Sequence, residues 1–368
     1  MARGTYAVVD LAALQHNFGV IRQRVGDSNV LSVVKADAYG HGIERVAAAL
    51  SGSGSDGFGV AIIDEAIQLR DAGIQQPVVL LEGVTSAGDL AEAANQGLDV
   101  VVHTVEQLRF FQATSLPRPV RVWLKFDTGM HRLGIHPTQL PEFYRALKSL
   151  DSVSDVILMS HLACADEPNS PFSANQLAKF NTTIETVAAV PAGAGKSLAN
   201  SAGTFSQTGT HFQWVRPGLA LYGGSPLQGV TAESLGLKPV MQLSSTVLAT
   251  RLVKAGDAVG YGAAWIADRD TPVAIVGIGY GDGYPRHVAA QTPVLIRGVR
   301  CPLVGRVSMD MIAVDLSPLK LPAGAIGLGE PVIIWGNGLP VEDVAQAAGT
   351  INYELLCQVT GRVKRIYR

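Results

Sequence analysis

Short runs rich in β-branched residues alternate with helical segments along the first part of this 368-residue chain. Eight such repeats, extending to about Tyr222, predict a (β/α)8 barrel, in which parallel strands close on themselves inside a ring of helices. An open, doubly wound sheet is the alternative fold, but it would need a GxGxxG turn after its first strand, and this chain has none there. The predicted strands begin near Leu31, Phe58, Val78, Val100, Val120, Val156, Ser197 and Trp214.

A short predicted strand, Tyr6–Val9, comes before these repeats. Asp10 follows it at the position of a helix N-cap. Apolar residues then recur at the three- and four-residue spacing of one helix face, at Leu11, Leu14, Phe18, Ile21 and Val25. We therefore expect an amphipathic helix directly after the first strand.

After about Leu235 the helical spacing disappears, and strand-like runs separated by Gly and Pro turns follow. We expect a compact β domain there, with a single late helix over Val341–Ala348. The predicted domains are the barrel over residues 1–232 and a C-terminal β domain over residues 233–368, and the first strand is a candidate to pack with the second domain. The strand-like runs are Leu243–Leu252, Val273–Gly279, Val294–Arg297, Met311–Leu316 and Pro331–Trp335.

Composition excludes several classes of protein. A content of 47% hydrophobic and 16% charged residues is typical of a well-packed enzyme, and a net charge of -2 gives no basic field for nucleic acid or an anionic membrane. The three cysteines, Cys164, Cys301 and Cys357, form no CxxC, so we expect neither structural disulfides nor a metal site. No signal peptide and no apolar run of the roughly 20 residues that a membrane helix needs is visible. We expect a cytoplasmic enzyme.

Lys35 ends the first predicted barrel strand, in the run VVKADAYGHG. Residues at the carboxyl ends of barrel strands face a shared cavity, where barrel enzymes carry out their chemistry. An amine there can bond covalently to a carbonyl cofactor if burial or nearby cations lower its pKa. From position alone, a solvated lysine at a strand end is the alternative.

The run from Val33 to Gly42 closely resembles the cofactor-lysine motif of alanine racemases. Further motifs follow in the order of that family as far as Asn352-Tyr353-Glu354-Leu355, so the resemblance spans almost the whole chain. It implies a homodimer that binds pyridoxal 5'-phosphate and interconverts L- and D-alanine for peptidoglycan. It also implies that Lys35 holds the cofactor and serves as one of two catalytic bases.

The same resemblance implies which residues bind the cofactor phosphate. Tyr39 lies in the lysine motif, and Asn200 and Ser201 lie in the run ANSAG. Backbone amides of Gly218 and Leu219 would complete the phosphate site. The loops after the late strands are where barrel enzymes commonly bind phosphate, which agrees with these positions.

Arg216, in WVRPG, resembles the arginine that faces the pyridine nitrogen of the cofactor, and His161, in MSHLA, resembles the histidine that lies near the ring and bonds to that arginine. A guanidinium keeps its protons, so the ring nitrogen would have to accept a hydrogen bond and stay unprotonated. Such a ring withdraws electrons less strongly, which favours return of the proton over decarboxylation or transamination. A structural histidine and an arginine paired with a carboxylate are the alternatives.

Tyr261, in VGYGAAW, matches the second catalytic base of the family. Racemisation removes the α-proton from one face and delivers it to the other, and one rigid side chain cannot easily reach both faces. In the family this tyrosine enters from the partner subunit, which is why the resemblance implies an obligatory dimer. Without the resemblance, Tyr261 would be interpreted as an aromatic residue in a β-turn.

Four further residues are implied to act on the substrate. Arg132, in DTGMHRLG, looks like the arginine that binds the substrate carboxylate, to which its planar fork is suited. Lys125 matches a lysine that is often a carbamate in the family, and the negative charge would orient Arg132. Met309 would help through its backbone amide, and Tyr280, in GYGDG, would line the substrate entrance.

The chain departs from the family pattern at two positions. Ser308 stands where many members have cysteine, which should matter little because the backbone does the binding. Gly361 stands at the position of an entrance tyrosine of some relatives, which predicts a wider entrance and weakens the expectation of strict alanine specificity.

Three other functions stay open. They are a racemase of serine or of a broader substrate set, a decarboxylase of basic amino acids, and a non-catalytic carrier of vitamin B6. The decarboxylase would need a carboxylate in place of Arg216. The carrier would have no need of Tyr261 or of a second domain.

Overall fold

The computed structural model describes residues 4–187, 190, 193–322 and 324–368. Strand β1 (Tyr6–Val9) lies outside the barrel, and the next eight strands are parallel and close on themselves. Each of the eight overlaps a predicted strand, so the predicted (β/α)8 barrel is confirmed. The barrel strands are β2 (Asn29–Val33), β3 (Gly57–Val60), β4 (Val78–Leu80), β5 (Asp99–Val102), β6 (Val120–Lys125), β7 (Val153–Met159), β8 (Lys196–Asn200) and β9 (Trp214–Arg216).

Helices connect the barrel strands and cover them from outside. The first helix begins after Asp10, whose carboxylate accepts a hydrogen bond from the Ala13 amide at 2.9 Å, and it buries Leu14, Phe18 and Ile21 as its spacing predicted. The helices of this part are α1 (Leu11–Val25), α2 (Lys35–Gly40), α3 (Ile43–Gly52), α4 (Ile63–Asp71), α5 (Ala87–Asn95), α6 (Val105–Ala113), α7 (Leu140–Lys148), α8 (Phe172–Glu185) and α9 (Ser201–Ser206).

Apolar side chains from six strands fill the interior of the barrel, as a cluster separate from the core beneath the helices: Leu31, Val79, Val101, Trp123, Ile157, Met159 and Trp214. The two tryptophan rings meet edge to face at 5.4 Å, and the Asp99 carboxylate accepts the indole N–H of Trp123 at 2.9 Å. The barrel interior is therefore a packed core, as in other barrel enzymes, and offers a ligand its mouth.

The second part of the chain forms a mixed eight-stranded sheet, in which β1 pairs antiparallel with β10 and parallel with β18. The sheet consists of β1, β10 (Met241–Val253), β13 (Thr271–Val276), β14 (Pro293–Ile296), β15 (Val299–Val304), β16 (Ile312–Asp315), β17 (Pro331–Trp335) and β18 (Lys364–Tyr367), and a small hairpin adds β11 (Ala258–Val259) and β12 (Trp265–Ile266). Two helices, α10 (Val341–Ala348) and α11 (Asn352–Gln358), complete this part. The proposed domain boundary after residue 232 falls between β9 and β10.

The expectation of a single late helix was wrong. Helix α11 has only seven residues, too few for the spacing of apolar residues to reveal it. Strands β11, β12, β15 and β18 were also absent from the predicted runs. Among the described residues, no helix combines the length and the apolar character needed to span a bilayer.

Candidate active site

A cavity of about 490 Å³ opens at the mouth of the barrel. Four cationic side chains line it together with a single carboxylate, that of Glu82, so the cavity suits an anionic ligand. The structure brings together here ten of the residues selected from the sequence: Lys35, Tyr39, Lys125, Arg132, His161, Asn200, Ser201, Arg216, Gly218 and Leu219.

Lys35 begins a left-handed turn. Strand β2 ends at Val33, so the expectation that Lys35 itself ends the strand is corrected. Residues 36 to 39 have φ of 52 to 53° and ψ of 43 to 54°, and all four carry a side chain. Each costs about 1–2 kcal/mol relative to the right-handed form, because Cβ approaches the following carbonyl oxygen. We call α2, Lys35–Gly40, the lysine turn; its contacts must offset this cost.

The lysine turn directs Tyr39 into the cavity beside a cluster of hydroxyl and amide groups. Its ring stacks on Tyr222 at 4.8 Å, and burial raises the pKa of Tyr39, so the phenol stays neutral and can donate. A Cβ on Gly218 would lie 2.4 Å from the Tyr39 hydroxyl, so only glycine lets the backbone come this close. The Ser201 hydroxyl accepts the Gly218 amide at 2.8 Å.

Arg216 and His161 form a buried pair on the floor of the cavity. The Arg216 guanidinium donates to the carbonyl of Ser160 at 2.7 Å and to Nδ1 of His161 at 3.1 Å. Burial lowers the pKa of Arg216 to about 9, which still leaves it protonated near neutrality. Burial and then the neighbouring cations, Arg216 first, hold the pKa of His161 well below its usual range. His161 is thus a neutral ring that accepts at Nδ1.

Lys125 lies at the end of β6, buried beside other cations. Burial and then the charges of Arg216 and Arg132 lower the pKa of Lys125 to about 8. A substantial part of this amine is therefore unprotonated near pH 8, the form that reacts with electrophiles. Arg132 lies on the following loop, in which the Asp127 carboxylate accepts the Gly129 amide at 2.9 Å.

The other three selected residues, all in the β domain, do not line the cavity of their own chain. Tyr261 is 70% exposed, Met309 is 52% exposed and Tyr280 is 40% exposed. Their loops touch, since the Tyr280 amide donates to the Ser308 carbonyl at 3.1 Å and the Arg306 side chain lies against Gly262. We call the surface formed by Tyr261, Tyr280 and Met309 the tyrosine patch.

Tyr353 lines the cavity mouth, and the sequence analysis gave it no role. Its ring centroid lies 6.1 Å from that of Tyr39, and burial, then the Asp166 charge, raises its pKa to about 12. Gly361, like Tyr280, does not line the cavity of its own chain, so the wider entrance stays a prediction. The sequence signal that could have identified Tyr353 is the terminal motif Asn352-Tyr353-Glu354-Leu355, which contains it.

No cluster of three or more His, Cys, Asp or Glu side chains able to hold a metal ion occurs in the described part of the chain. The groups gathered in the cavity are instead an amine, a neutral phenol, a hydroxyl, backbone amides and a guanidinium. They can bind an anion at one end of a ligand and bond to a carbonyl carbon at another.

Family comparisons cover both parts of the chain. Residues 9–226 match the family model of the alanine racemase N-terminal domain, and residues 240–367 match that of the C-terminal domain. An alanine racemase from Vibrio vulnificus is 46% identical over 362 residues, which are 98% of this chain and 98% of the relative.

Solved structures give the same result. The crystal structure of the biosynthetic alanine racemase from Pseudomonas aeruginosa superimposes with a TM-score of 0.94 at 44% identity, over 100% of this chain and 99% of that one. The alanine racemase from Bartonella henselae, described with covalently bound pyridoxal phosphate, has a TM-score of 0.88 at 30% identity and covers 99% of each chain.

Proposed function

This chain belongs to the alanine racemase family, and we propose that it interconverts L- and D-alanine with two bases, Lys35 of one chain and Tyr261 of the partner subunit. The observation that carries the proposal is the division of the selected residues into two groups. Lys35 lies in the cavity with the residues suited to a cofactor, whereas Tyr261 is exposed on the tyrosine patch outside it.

The cavity fits pyridoxal 5'-phosphate. The hydroxyls of Tyr39 and Ser201 and the amides of Gly218 and Leu219 would hold the phosphate, and the closeness of Gly218 to Tyr39 leaves no room for a side chain in this cradle. Asn200 supports it, because its side chain accepts the Gly203 amide at 2.9 Å and so fixes the loop of Ser201. When bound, the cofactor supplies an electron-withdrawing ring that makes the α-proton of alanine acidic.

Lys35 would hold the cofactor in the resting enzyme and then move a proton at one face of the α-carbon. Tyr261 of the partner subunit would do so at the opposite face, taking the proton from L-alanine while Lys35 returns one to give D-alanine. The reverse reaction exchanges the two roles. Each base would thus remove the α-proton of one enantiomer, Tyr261 of the partner subunit that of L-alanine and Lys35 that of D-alanine.

Arg216 would face the pyridine nitrogen. Its contacts with Ser160, His161, Ser197 and Leu198 leave Nε without an acceptor among the described residues, so this N–H is free to donate into the cavity. Because a guanidinium only donates, Arg216 favours an unprotonated ring nitrogen and hence return of the proton to carbon.

Arg132 would bind the substrate carboxylate, helped by the backbone amide of Met309 from the partner subunit. Lys125, with its lowered pKa of about 8, is suited to react with CO2 and become a carbamate that pairs with Arg132. Tyr280 from the same patch as Met309 would narrow the entrance. A homodimer supplies all these groups at once, since a two-fold arrangement lets each tyrosine patch cover the other chain's cavity.

The proposed setting is the cytoplasm, with D-alanine delivered to peptidoglycan synthesis. The test combines visible absorbance of the lysine-bound cofactor with a chiral assay of both alanine enantiomers. We expect the absorbance band in the wild type, its loss in Lys35→Ala, and its retention in Lys148→Ala, which changes a surface lysine on α7. Either enantiomer should yield a racemic mixture.

The same assay separates the other functions. Inversion of L-serine as fast as L-alanine would indicate a broader racemase, and loss of CO2 without inversion would indicate a decarboxylase. An absorbance band without any turnover would indicate a carrier and would refute the two-base proposal.

A further inference from the structure

The end of the β domain holds the lysine turn of the barrel. Arg365, in β18, donates from Nε to the Gly40 carbonyl at 3.1 Å. Its other two nitrogens donate to the carbonyls of Thr360 at 2.6 Å, Val363 at 2.9 Å and Val359 at 2.7 Å. One guanidinium therefore joins the last residue of the lysine turn to the segment that follows α11.

The backbone of the turn also lies directly against α11 and β18. Gly40 has φ of +76°, and a Cβ there would come within 2.3 Å of the Leu356 carbonyl oxygen. A Cβ on Gly42 would overlap the hydroxyl of Tyr367 in β18. A Cβ at Gly40 would therefore force the backbone of α11 away from the turn, whereas one at Gly42 would displace the Tyr367 side chain.

Two side chains hold the turn from the barrel side. The Glu65 carboxylate, on α4, accepts the Ala36 amide at 2.6 Å. The His41 ring stacks on Tyr222 at 4.6 Å, and its Nδ1 lies 2.8 Å from the Tyr39 carbonyl. From the other domain, Arg365 adds a hydrogen bond to the packing of Leu356 and Tyr367.

We infer that Arg365 is a positioning residue that keeps the lysine turn left-handed, so that Lys35 and Tyr39 both face the cavity. Four residues in an unfavourable conformation relax once a strong restraint is removed. The β domain then has a second task besides presenting the tyrosine patch, which is to set how well the cavity of its own chain binds the cofactor. The inference rests on the proposed roles of Lys35 and Tyr39.

Arg70 offers a matched control. From α4 it also donates to four backbone carbonyls, those of Gln96, Ile74, Gln76 and Gly97, at 2.7 to 3.0 Å. These bonds lie at the amino-terminal end of the barrel strands, opposite the cavity. Arg70→Ala therefore removes the same chemistry without touching the lysine turn.

The experiment compares Arg365→Ala, Arg70→Ala and wild type as full-length proteins. We expect both variants to lower Tm, but only Arg365→Ala to weaken pyridoxal 5'-phosphate binding, by about tenfold or more, the value of one hydrogen bond to a charged donor. Without cofactor, amide hydrogen exchange over residues 36–42 should be faster in Arg365→Ala alone. Arg365→Lys, which keeps the charge but lacks the fork, should lie between wild type and Arg365→Ala.

Equal cofactor affinity and equal exchange over residues 36–42 in the two alanine variants would overturn the inference. If Arg365→Ala does not fold, Arg365→Lys is compared with Arg70→Ala instead. Equal cofactor affinity and equal hydrogen exchange over residues 36–42 in these two variants would then overturn the inference. Failure of the wild type to bind the cofactor would refute the proposed function, whereas the hydrogen exchange of the cofactor-free proteins would still test the hold of Arg365 on the turn.

Discussion

The cavity of the barrel and the tyrosine patch of the β domain differ in how firmly the single chain holds them. In the cavity, Arg216 and Ser201 are buried and hydrogen-bonded, and the Tyr39 ring stacks on Tyr222 and lies near Tyr353. On the patch, Tyr261 and Met309 are more than half exposed. A chain on its own therefore orders the proposed cofactor half of the site, which we call the cavity half, and leaves the proposed second base exposed.

This difference has a physical reason. Binding an anion and bonding to a carbonyl require groups that are already oriented before the ligand arrives, since ordering them later would cost affinity. A base that acts on the opposite face of the α-carbon would have to approach from outside the barrel. The β domain of the same chain already packs against the lysine turn through Arg365, and the proposed mechanism therefore takes this base from the partner subunit.

The largest expected effect comes from removing the hydroxyl on the patch. Tyr261→Phe should lower kcat by about 100- to 10,000-fold, the usual contribution of a general base, while the absorbance of the lysine-bound cofactor is unchanged. Isotope exchange at the α-carbon from each enantiomer separates the faces, and exchange should survive only on the Lys35 side. Loss of the absorbance band in this variant would contradict the division into two halves.

Mixing two inactive variants tests the sharing of sites directly. A heterodimer of Lys35→Ala with Tyr261→Phe has one intact site if the halves come from different chains, so random mixing should restore about one quarter of wild-type activity. If both bases belonged to one chain, every site in the mixture would lack one of them. Activity that stays at the level of the separate variants would then exclude a shared site.

The buried ring of His41, directly after the lysine turn, predicts that the free energy of unfolding depends on pH. Burial lowers the pKa of His41 to about 4 from its ordinary 6.5. Between these two values the unfolded chain binds a proton that the folded chain does not, so stability falls as pH falls, by about 3 kcal/mol over the whole window. His161 adds a dependence of the same sign.

His41→Gln isolates the contribution of one ring. The free energy of unfolding, measured at pH 7 and pH 5 at one protein concentration, should fall less on acidification in this variant than in the wild type. The control is His16→Gln, which changes an exposed histidine of α1 and should keep the wild-type dependence. An equal loss in all three proteins would show that His41 does not resist protonation.

The sequence predicted the barrel better than it predicted the lysine turn, for a physical reason. Barrel strands are local runs of β-branched residues, and all eight were found. The turn at Ala36-Asp37-Ala38-Tyr39 has no glycine, and its left-handed form depends on Arg365 and Glu65, which lie far away along the chain. Such a conformation cannot be recognised from the residues that adopt it.

The residues of the site also differ in how well the sequence predicted them. The motifs identified ten residues that lie in one cavity, but Tyr353 was given no role although it belongs to the terminal motif, because its distance from Tyr39 in space cannot be judged from the sequence. Exposure of Tyr261 could not be judged from the sequence either, because turn residues in a β domain can lie on any face.

The proposed carbamate on Lys125 would add a negative charge to the cationic cavity, and its formation can be measured. With a pKa of about 8, the neutral amine can bond to the carbon of CO2 and release one proton, and the product would place a negative charge among the cations. We expect a carbamate signal in the NMR spectrum of protein equilibrated with 13C-labelled bicarbonate, and its absence in Lys125→Gln. KM for alanine should rise by about tenfold in that variant, since Arg132 loses the charge that orients it. A wild-type spectrum without the signal would contradict the assignment.

The smallest expected effect concerns Gln176, which joins the two loops that carry Arg132 and His161. This buried side chain of α8 donates to the Thr128 hydroxyl at 3.0 Å and to the His161 carbonyl at 2.9 Å, and it accepts the Ala163 amide at 2.8 Å. Gln176→Leu leaves these groups without a partner, which should cost about 1–3 kcal/mol of stability. KM for alanine should rise only a few-fold, roughly two- to fivefold, because Arg132 keeps its own loop.

Gln107 is the matched control for this substitution. It is also buried, and it joins two loops of the barrel mouth, donating to the Val84 carbonyl at 3.2 Å and accepting the His103 amide at 2.8 Å. Neither loop carries a residue proposed to bind the substrate carboxylate. Gln107→Leu should therefore lower stability by a similar amount and leave KM for alanine unchanged. If the two variants raised KM equally, the cavity half would owe its order to general packing of the mouth, and the bridge at Gln176 would have no specific part in orienting Arg132.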